Sequence, residues 1–209
     1  MIVGSIKENL SLEKRVSITP ETAKNYINLG LKVILESNYA NHIGISDKEF
    51  ETVGAEFKKT SKEVLNDCNL LTKVNCPTDD ETSNLKDKTI LIGMLNPLKN
   101  KNKLQEIVKK NINVFSLELL PRISRAQSMD VLSSQSNLAG YRSVVDSIYE
   151  FEKAIPMMMT AAGTVPAAKV LIIGAGVAGL QAIATAKRLG AIVSATDVRA
   201  ASKEQVESL

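Results

Sequence analysis

The sequence contains no tryptophan, and aromatic residues make up only 4% of it, so a core must be built from aliphatic side chains. Histidine occurs once, and the two cysteines, Cys68 and Cys76, do not follow C-x-x-C spacing. This set does not match a Cys/His zinc site, and two scattered thiols fit a reducing compartment. The formal net charge of +3 is nearly balanced and gives no indication of nucleic-acid binding.

Long uninterrupted hydrophobic runs are also missing. The amino terminus lacks the basic segment and the apolar run of a signal peptide. The most apolar region, 154–186, is interrupted by Pro156, Pro166 and Lys169, and is therefore not a membrane span. We expect no direct membrane insertion, and any link to a membrane must come through a partner.

A glycine motif lies between a predicted strand, 170–173, and a predicted helix, 177–189. Its spacing, G-x-G-x-x-G, allows a tight turn, a close approach of the backbone to a pyrophosphate, and close packing of the helix on the strand. The free N–H groups at the start of the helix favour phosphate. The predicted phosphate site consists of Gly174, Gly176, Val177, Ala178 and Gly179.

An acidic residue, Asp197, ends the next predicted strand, 192–196. A carboxylate there accepts hydrogen bonds from an adenosine ribose and repels a 2′-phosphate, which favours NAD(H) over NADP(H). Val198 and Arg199 follow directly and belong to the predicted cofactor site, although a nearby arginine can accommodate that phosphate. A glycine-rich turn in some other α/β fold would have to explain the glycines and Asp197 together.

Strands and helices alternate before this motif begins. The predicted strands are 2–6, 32–36, 70–74, 89–93 and 113–117, and helix-start signals occur at Thr19, Ser46 and Thr60. The alternation predicts an α/β protein with two doubly wound parallel-sheet (Rossmann-like) domains. We expect an N-terminal α/β domain at 1–135, and at 136–209 a connecting helix with the beginning of a nucleotide-binding domain. Because such a domain needs more than two strands, we expect the second to be incomplete at its carboxyl end.

A polar loop, 121–135, links the two predicted domains. It follows a parallel strand, and loops at that end of a strand face the cleft where α/β folds bind ligands. The residues alone leave two interpretations open. The loop either contacts a ligand or forms a capped helix entry with Asp130 as the N-cap.

Three stretches resemble the NAD(H)-binding alpha subunits of proton-translocating NAD(P) transhydrogenases. They are KENLSLEKRVSITPETAKNYINLG, RAQSMDVLSSQSNLAGY and GTVPAAKVLIIGAGVAGLQAIATAKRLGA. The resemblance runs over all 209 residues, and the wider superfamily includes alanine dehydrogenase and saccharopine dehydrogenase. It implies an N-terminal domain of the alanine dehydrogenase/transhydrogenase type.

The resemblance also implies an activity. A peripheral bacterial protein on the cytoplasmic side of the inner membrane would bind NAD(H) and transfer hydride, with Si-specific/Re-specific stereochemistry, to NADP(H) on a partner beta subunit. A membrane domain would couple this to proton translocation, and a homodimer is expected. In the family, the loop contacts the nicotinamide end through positions matching Arg122, Gln127, Asp130 and Ser133, of which Gln127 and Asp130 are the expected catalytic residues. Tyr141 matches a cleft tyrosine.

Two other functions stay open. An alanine dehydrogenase would need acid–base groups beside the cofactor. Lys73 could supply one, but the expected histidine is absent at 92–95, and His42, in a loop, is the only one. Arg15 and Lys73 are therefore expected to be structural. The other possibility is a truncated module that binds nucleotide without activity, or binds nothing.

Overall fold

A six-stranded parallel sheet forms the centre of the amino-terminal half of the chain. The computed structural model describes all 209 residues, which form two compact units, Met1–Met129 and Asp130–Leu209. The strands of the first unit are β1 (Ile2–Ser5), β2 (Lys32–Glu36), β3 (Glu56–Lys58), β4 (Leu70–Thr72), β5 (Ile90–Gly93) and β6 (Asn113–Ser116). Their order, β3-β2-β1-β4-β5-β6, runs outward in both directions from β1. This confirms the predicted Rossmann-like α/β fold.

Five α-helices connect these strands, and three of them begin at the predicted signals. The helices are α1 (Pro20–Asn28), α2 (Asp47–Thr52), α3 (Ser61–Asp67), α4 (Asp79–Ser83) and α5 (Lys101–Lys109), with short 3₁₀ turns at Asn41–Ile43, Leu117–Leu119 and Ser124–Met129. The Thr19 hydroxyl accepts a hydrogen bond from the Thr22 N–H at 3.2 Å, directly before Pro20. Such a cap satisfies a backbone donor that the helix itself leaves unpaired.

The sheet of the first unit has an apolar core on each face. In β2, Val33 and Leu35 pack into one cluster with Phe50, whereas Ile34 packs into the other with Leu91. Successive side chains of a strand point to opposite faces, so these clusters lie on opposite sides of the sheet. A sheet buried on both faces is what the near-continuous apolar strands require.

The second unit contains a βαβ element and a long helix. Its elements are α6 (Val131–Phe151), an antiparallel hairpin β7 (Met158–Thr160) and β8 (Gly163–Val165), then β9 (Lys169–Ile173), α7 (Val177–Arg188), β10 (Ile192–Thr196) and α8 (Ser202–Glu207). β9 and β10 are parallel neighbours. One face of this pair packs on α6 and α7 through Val170, Ile172 and Val193. The other face is open, with Ile173 81% exposed.

α6 and α7 approach each other very closely at one point. A Cβ atom placed on Gly140 of α6 would lie 2.1 Å from the backbone oxygen of Ala178 in α7. Only glycine fits there without moving the backbone. No helix in the chain combines the length and the apolarity that crossing a bilayer demands.

Four details differ from the sequence predictions. The short edge strand β3 and the hairpin β7–β8 are not predicted, and α4 occupies a section of the stretch predicted as a loop or frayed helix. The long helix begins at Val131 rather than at residue 136, because Asp130 caps it. The predicted boundary between the domains, at 135 and 136, stays a prediction.

Candidate nucleotide site

The glycine turn between β9 and α7 has the geometry of a phosphate loop. Gly174 has φ +94° and donates its N–H to the Thr196 carbonyl at 2.7 Å, which ties the turn to the end of β10. A Cβ on Gly179 would lie 1.8 Å from the Gly174 oxygen, so a side chain there would push the helix away from the turn. At Gly176 a Cβ would meet nothing within 4 Å, so the backbone there is open to a ligand. These are the separate roles predicted for the three glycines.

The amino terminus of α7 is uncapped. Gly176 is the N-cap residue, and no side chain accepts a hydrogen bond from the first turn of this 12-residue helix. Free N–H groups and the positive end of the helix dipole therefore remain available to an anion at Val177 and Ala178. The turn and the helix terminus together fit a pyrophosphate.

Asp197 lies at the carboxyl end of β10 and is joined directly to the glycine turn. Its Oδ2 accepts the Ala175 N–H at 2.7 Å, and its Oδ1 accepts the Arg199 N–H at 2.8 Å. The Arg199 side chain adds a two-pronged ion pair, with Nε to Oδ1 and Nη2 to Oδ2 both at 3.0 Å. The Asp197 side chain is only 9% exposed, whereas that of Arg199 is 61% exposed and Val198 is fully exposed.

These donors hold the pKa of Asp197 far below that of a free aspartate. The Arg199 side chain contributes most, followed by the backbone N–H groups of Arg199 and Ala175. A hydrogen bond to the charged form stabilises that form. The carboxylate is therefore ionised throughout the physiological range. Sequence reasoning misses the contribution of Ala175, because a backbone donor leaves no signal in residue identity.

Asp130 and Ser133 meet at the start of α6. Asp130 Oδ1 accepts the Ser133 N–H at 2.9 Å, and the Ser133 hydroxyl donates to Asp130 Oδ2 at 2.6 Å. This is the N-cap arrangement that the residues alone left open. Tyr141, on the same helix, is 51% exposed. Arg122 and Gln127 belong to the first unit, where both are exposed and Gln127 lies in the last 3₁₀ turn.

A second group of charged residues lies inside the first unit. The Lys73 side chain is 3% exposed, and its Nζ contacts Glu81 Oε1 and Oε2 at 2.9 and 2.8 Å and Glu8 Oε2 at 3.7 Å. Glu8 also accepts the Val74 N–H at 2.8 Å, and burial raises its pKa. Lys73 is thus neutralised by protein carboxylates. Sequence reasoning misses Glu8 and Glu81, although Thr78 and Glu81 form a capping box visible in the sequence.

Arg15 and His42 also have partners within the first unit. Arg15 Nη2 contacts Glu13 Oε2 at 2.6 Å, and this pairing lowers the pKa of Glu13. His42 Nε2 lies 2.8 Å from the Lys14 carbonyl oxygen. These contacts agree with the structural roles expected for Arg15 and His42.

Two family profiles match the chain. The profile described as "Alanine dehydrogenase/PNT, N-terminal domain" matches residues 4–139. The profile described as "Alanine dehydrogenase/PNT, C-terminal domain" matches residues 143–209.

Curated relatives match over the whole chain. It is 51% identical over 214 residues to the first of the NAD(P) transhydrogenase alpha-subunit proteins of Rhodospirillum rubrum, covering 100% of this chain and 56% of that protein. The corresponding protein from Rickettsia prowazekii is 46% identical over 213 residues, with the same coverage. The chain thus spans little more than half the length of these relatives.

Solved structures match the fold. A transhydrogenase from Sinorhizobium meliloti superimposes with a TM-score of 0.96 at 48% identity, covering 100% of this chain and 62% of that one. An L-alanine dehydrogenase superimposes with a TM-score of 0.85 at 23% identity, covering 100% of this chain and 58% of that one. At that identity the second likeness concerns the fold alone.

Proposed function

Because the chain belongs to the alanine dehydrogenase/PNT family, we propose that it is the NAD(H)-binding component of a proton-translocating NAD(P) transhydrogenase. The observation that carries the proposal is the glycine turn joined to Asp197 through the Ala175 N–H at 2.7 Å. The turn and the uncapped helix α7 suit a pyrophosphate, and the carboxylate suits a ribose without a 2′-phosphate. The names of the relatives support this choice within the family.

The adenosine and pyrophosphate end of NAD(H) is assigned to the second unit. Gly174, Gly176 and Gly179 admit the pyrophosphate, with the N–H groups of Val177 and Ala178 as donors. Asp197 accepts from the ribose hydroxyls, and Val198 and Arg199 complete this end of the site. Specificity for NAD(H) follows from the charge of Asp197, which repels a further phosphate.

The nicotinamide end is assigned to Arg122, Gln127, Asp130 and Ser133. Ser133 donates its hydroxyl proton to Asp130 at 2.6 Å, which leaves the lone pairs of its oxygen free to accept from a carboxamide NH₂. Arg122 binds the pyrophosphate or the carboxamide region, Gln127 reaches the nucleotide of the partner, and Asp130 fixes Ser133. Tyr141 lines the cleft.

The reaction that these residues serve is hydride transfer between two nicotinamides. It moves no proton on or off a substrate and needs no general base, but the two rings must be close, oriented and shielded from water. Residues that hydrogen-bond and position, rather than titrate, are therefore sufficient. Si-specific/Re-specific transfer would follow from which face of each ring is presented.

The proposed complex extends beyond this chain. NADP(H) binds to a beta subunit, a membrane domain couples hydride transfer to proton translocation, and the chain docks peripherally on the cytoplasmic side of a bacterial inner membrane. We also propose a homodimer. Exposed apolar side chains on the hairpin β7–β8, including Met159 at 85% exposure, support an interface there.

An alanine dehydrogenase activity is the less favoured alternative. Lys73 already pairs with Glu81 and Glu8, and no histidine lies in the first unit beyond His42. The test is incubation with pyruvate, ammonia and NADH. We expect no turnover, and turnover would replace the transhydrogenase assignment.

Binding of NADH, with NADPH as the control, tests the proposed site. We expect saturable binding of NADH and weak binding of NADPH to the 209-residue chain, followed by fluorescence. Asp197→Asn should weaken NADH binding and reduce the preference over NADPH. If a chain that is folded by circular dichroism binds neither nucleotide, the site as proposed is wrong for this chain.

The role of Gln127 needs the complete complex. Gln127→Asn keeps the amide but shortens the side chain, so it should slow hydride transfer in the presence of the NADP(H)-binding partner much more than it weakens NADH binding. The measurement compares single-turnover transfer with an NADH titration. Equal losses in both would argue against a positioning role for Gln127.

A further inference from the structure

The carboxylate of Asp197 already has all the hydrogen-bond donors that it can take. An ionised carboxylate offers about four lone-pair sites. Oδ1 accepts from the backbone N–H and the Nε of Arg199, and Oδ2 accepts from the Ala175 N–H and the Nη2 of Arg199. No site is left for a ribose hydroxyl while all four contacts are in place. A nucleotide must therefore displace one or more of these donors.

The four donors differ in how easily they can leave. The Ala175 N–H belongs to the glycine turn, and the Arg199 N–H belongs to the chain directly after β10, so both are held by backbone geometry. The guanidinium is carried on a flexible side chain that is 61% exposed. Exposed ion pairs contribute little to stability. The guanidinium is thus the donor that a ligand displaces.

The two sites that the guanidinium fills match a vicinal diol. Nε and Nη2 donate in parallel, one to each carboxylate oxygen and each at 3.0 Å. When they leave, each oxygen gains one free acceptor site, while a backbone N–H still fixes its position. The 2′- and 3′-hydroxyls of a ribose present two neighbouring donors to such a pair. The Arg199 side chain and the ribose diol therefore compete for the same two positions.

We propose that the Arg199 side chain is an internal competitor that occupies the diol site of Asp197 and weakens binding of the unphosphorylated ribose. This inference rests on the proposed NAD(H) function of the same site and adds a specificity role to it. The guanidinium, once displaced, stays beside the ribose and offsets the repulsion between Asp197 and a 2′-phosphate. Arg199 thus narrows the preference for NADH over NADPH from both directions.

Arg199→Met tests the proposal, because it removes the guanidinium and keeps a linear side chain and the backbone N–H. We expect NADH to bind about threefold to fivefold more tightly, which corresponds to the loss of one exposed ion pair, and NADPH to bind more weakly. Lys203→Met is the matched control. Lys203 is a cation on the neighbouring helix α8 that pairs with Glu207 at 3.7 Å. Its loss should weaken both nucleotides slightly.

Salt dependence gives an independent readout. The ion pair is screened by salt, so the ratio of NADH affinities between Arg199→Met and the native chain should fall toward one between about 0.05 M and about 0.5 M salt. Weaker NADH binding by Arg199→Met at low salt would make Arg199 a direct ligand and overturn the competitor role, while leaving the proposed NAD(H) site intact. Failure of the native, Lys203→Met and Arg199→Met chains to bind NADH would overturn the proposed function itself.

Discussion

At Asp197 the environment decides the charge of the residue over an unusual pH range. Because its pKa is lowered, the carboxylate stays ionised as the pH falls through the ordinary aspartate value of about 3.9. Its contribution to folding is therefore present above that value and is lost only at still lower pH. A site that depends on this charge should keep its ligand in mild acid.

The first prediction is that NAD⁺ affinity does not fall through protonation of Asp197 between about pH 8 and about pH 4, where a free aspartate is roughly half protonated. Calorimetric titration across this range measures the affinity. Asp197→Asn serves as the control for other titrating groups, and the ratio of native to variant affinity should stay constant. A ratio that halves near pH 4 would contradict the lowered pKa.

Lys73 is the residue whose loss should be felt most in the first unit. Its replacement by methionine would leave Glu8 and Glu81 facing each other without a cation, in a place where the Glu8 side chain is 6% exposed. Breaking a buried ion pair from one side costs about 3–5 kcal/mol. We expect Lys73→Met to lower the free energy of unfolding by about that amount, as measured by urea denaturation.

A second substitution separates charge from packing at Lys73. Adding Glu81→Gln to Lys73→Met removes one of the stranded carboxylates, so some of the lost stability should return. Lys32→Met is the control, since Lys32 is 69% exposed and pairs with Glu56 only at 3.6 Å. A loss as small for Lys73 as for Lys32 would mean that water reaches the buried group.

Among the elements, α6 and α7 depend on one glycine. Gly140→Ala places a Cβ where the Ala178 carbonyl lies, so the helices must separate. Such overpacking costs about 1–3 kcal/mol, against the gain of up to about 1 kcal/mol that alanine normally brings to a helix. We expect net destabilisation of the second unit and weaker NADH binding, because Ala178 belongs to the proposed phosphate site.

The control for Gly140→Ala lies one turn earlier on the same helix. Asn137 is exposed, so Asn137→Ala should leave the free energy of unfolding unchanged or raise it slightly through helix propensity. Urea denaturation followed by circular dichroism compares the two variants. Stability of Gly140→Ala equal to that of Asn137→Ala would contradict the close contact.

The elements that the sequence predicts are those whose signals are local. The βα turn is predicted by glycine spacing and a β-branched run, and α1 by Thr19 followed by Pro20. β3, with only one apolar residue in Glu56–Lys58, has no periodicity to detect and is defined by its pairing with β2. The predicted start of α6 is displaced because Asp130 suits a loop and a helix cap equally well.

The site is predictable in its residue types but not in its pairings. The distance of Asp197 from the glycines identifies it in the sequence, whereas its bond to the Ala175 N–H spans 22 residues and involves a backbone atom. The contact between Lys73 and Glu8 joins residues far apart in the chain and has no local pattern. Long-range electrostatic partners depend on the topology of the sheet, which brings β1 and β4 together.

On the scale of the whole molecule, the two units have cores of very different size. The first has two apolar clusters, one on each face of six strands, and the second has one small cluster beside a two-stranded sheet with an open face. Since burial of apolar surface is the main stabilising contribution, the units should differ in stability. We expect two unfolding transitions, with the second unit unfolding first.

Cavity variants assign those transitions. Leu91→Ala removes a buried side chain from the first unit and should cost about 2–5 kcal/mol in the later transition alone. Val144→Ala, in the second unit, should shift only the earlier one. Hydrogen exchange followed by mass spectrometry reports each unit separately. A single transition shifted by both substitutions would mean that the units unfold together.

The contact at Gly140 gives α6 the character of a ruler. Ten residues separate Asp130 from Gly140, a rise of about 15 Å along a rigid helix. One end carries the carboxylate and hydroxyl assigned to the nicotinamide, and the other rests against the loop assigned to the pyrophosphate. The spacing between the two recognition points is thereby set by helix geometry rather than by loop conformation. A dinucleotide of the right length is measured against it, and a mononucleotide can engage only one end.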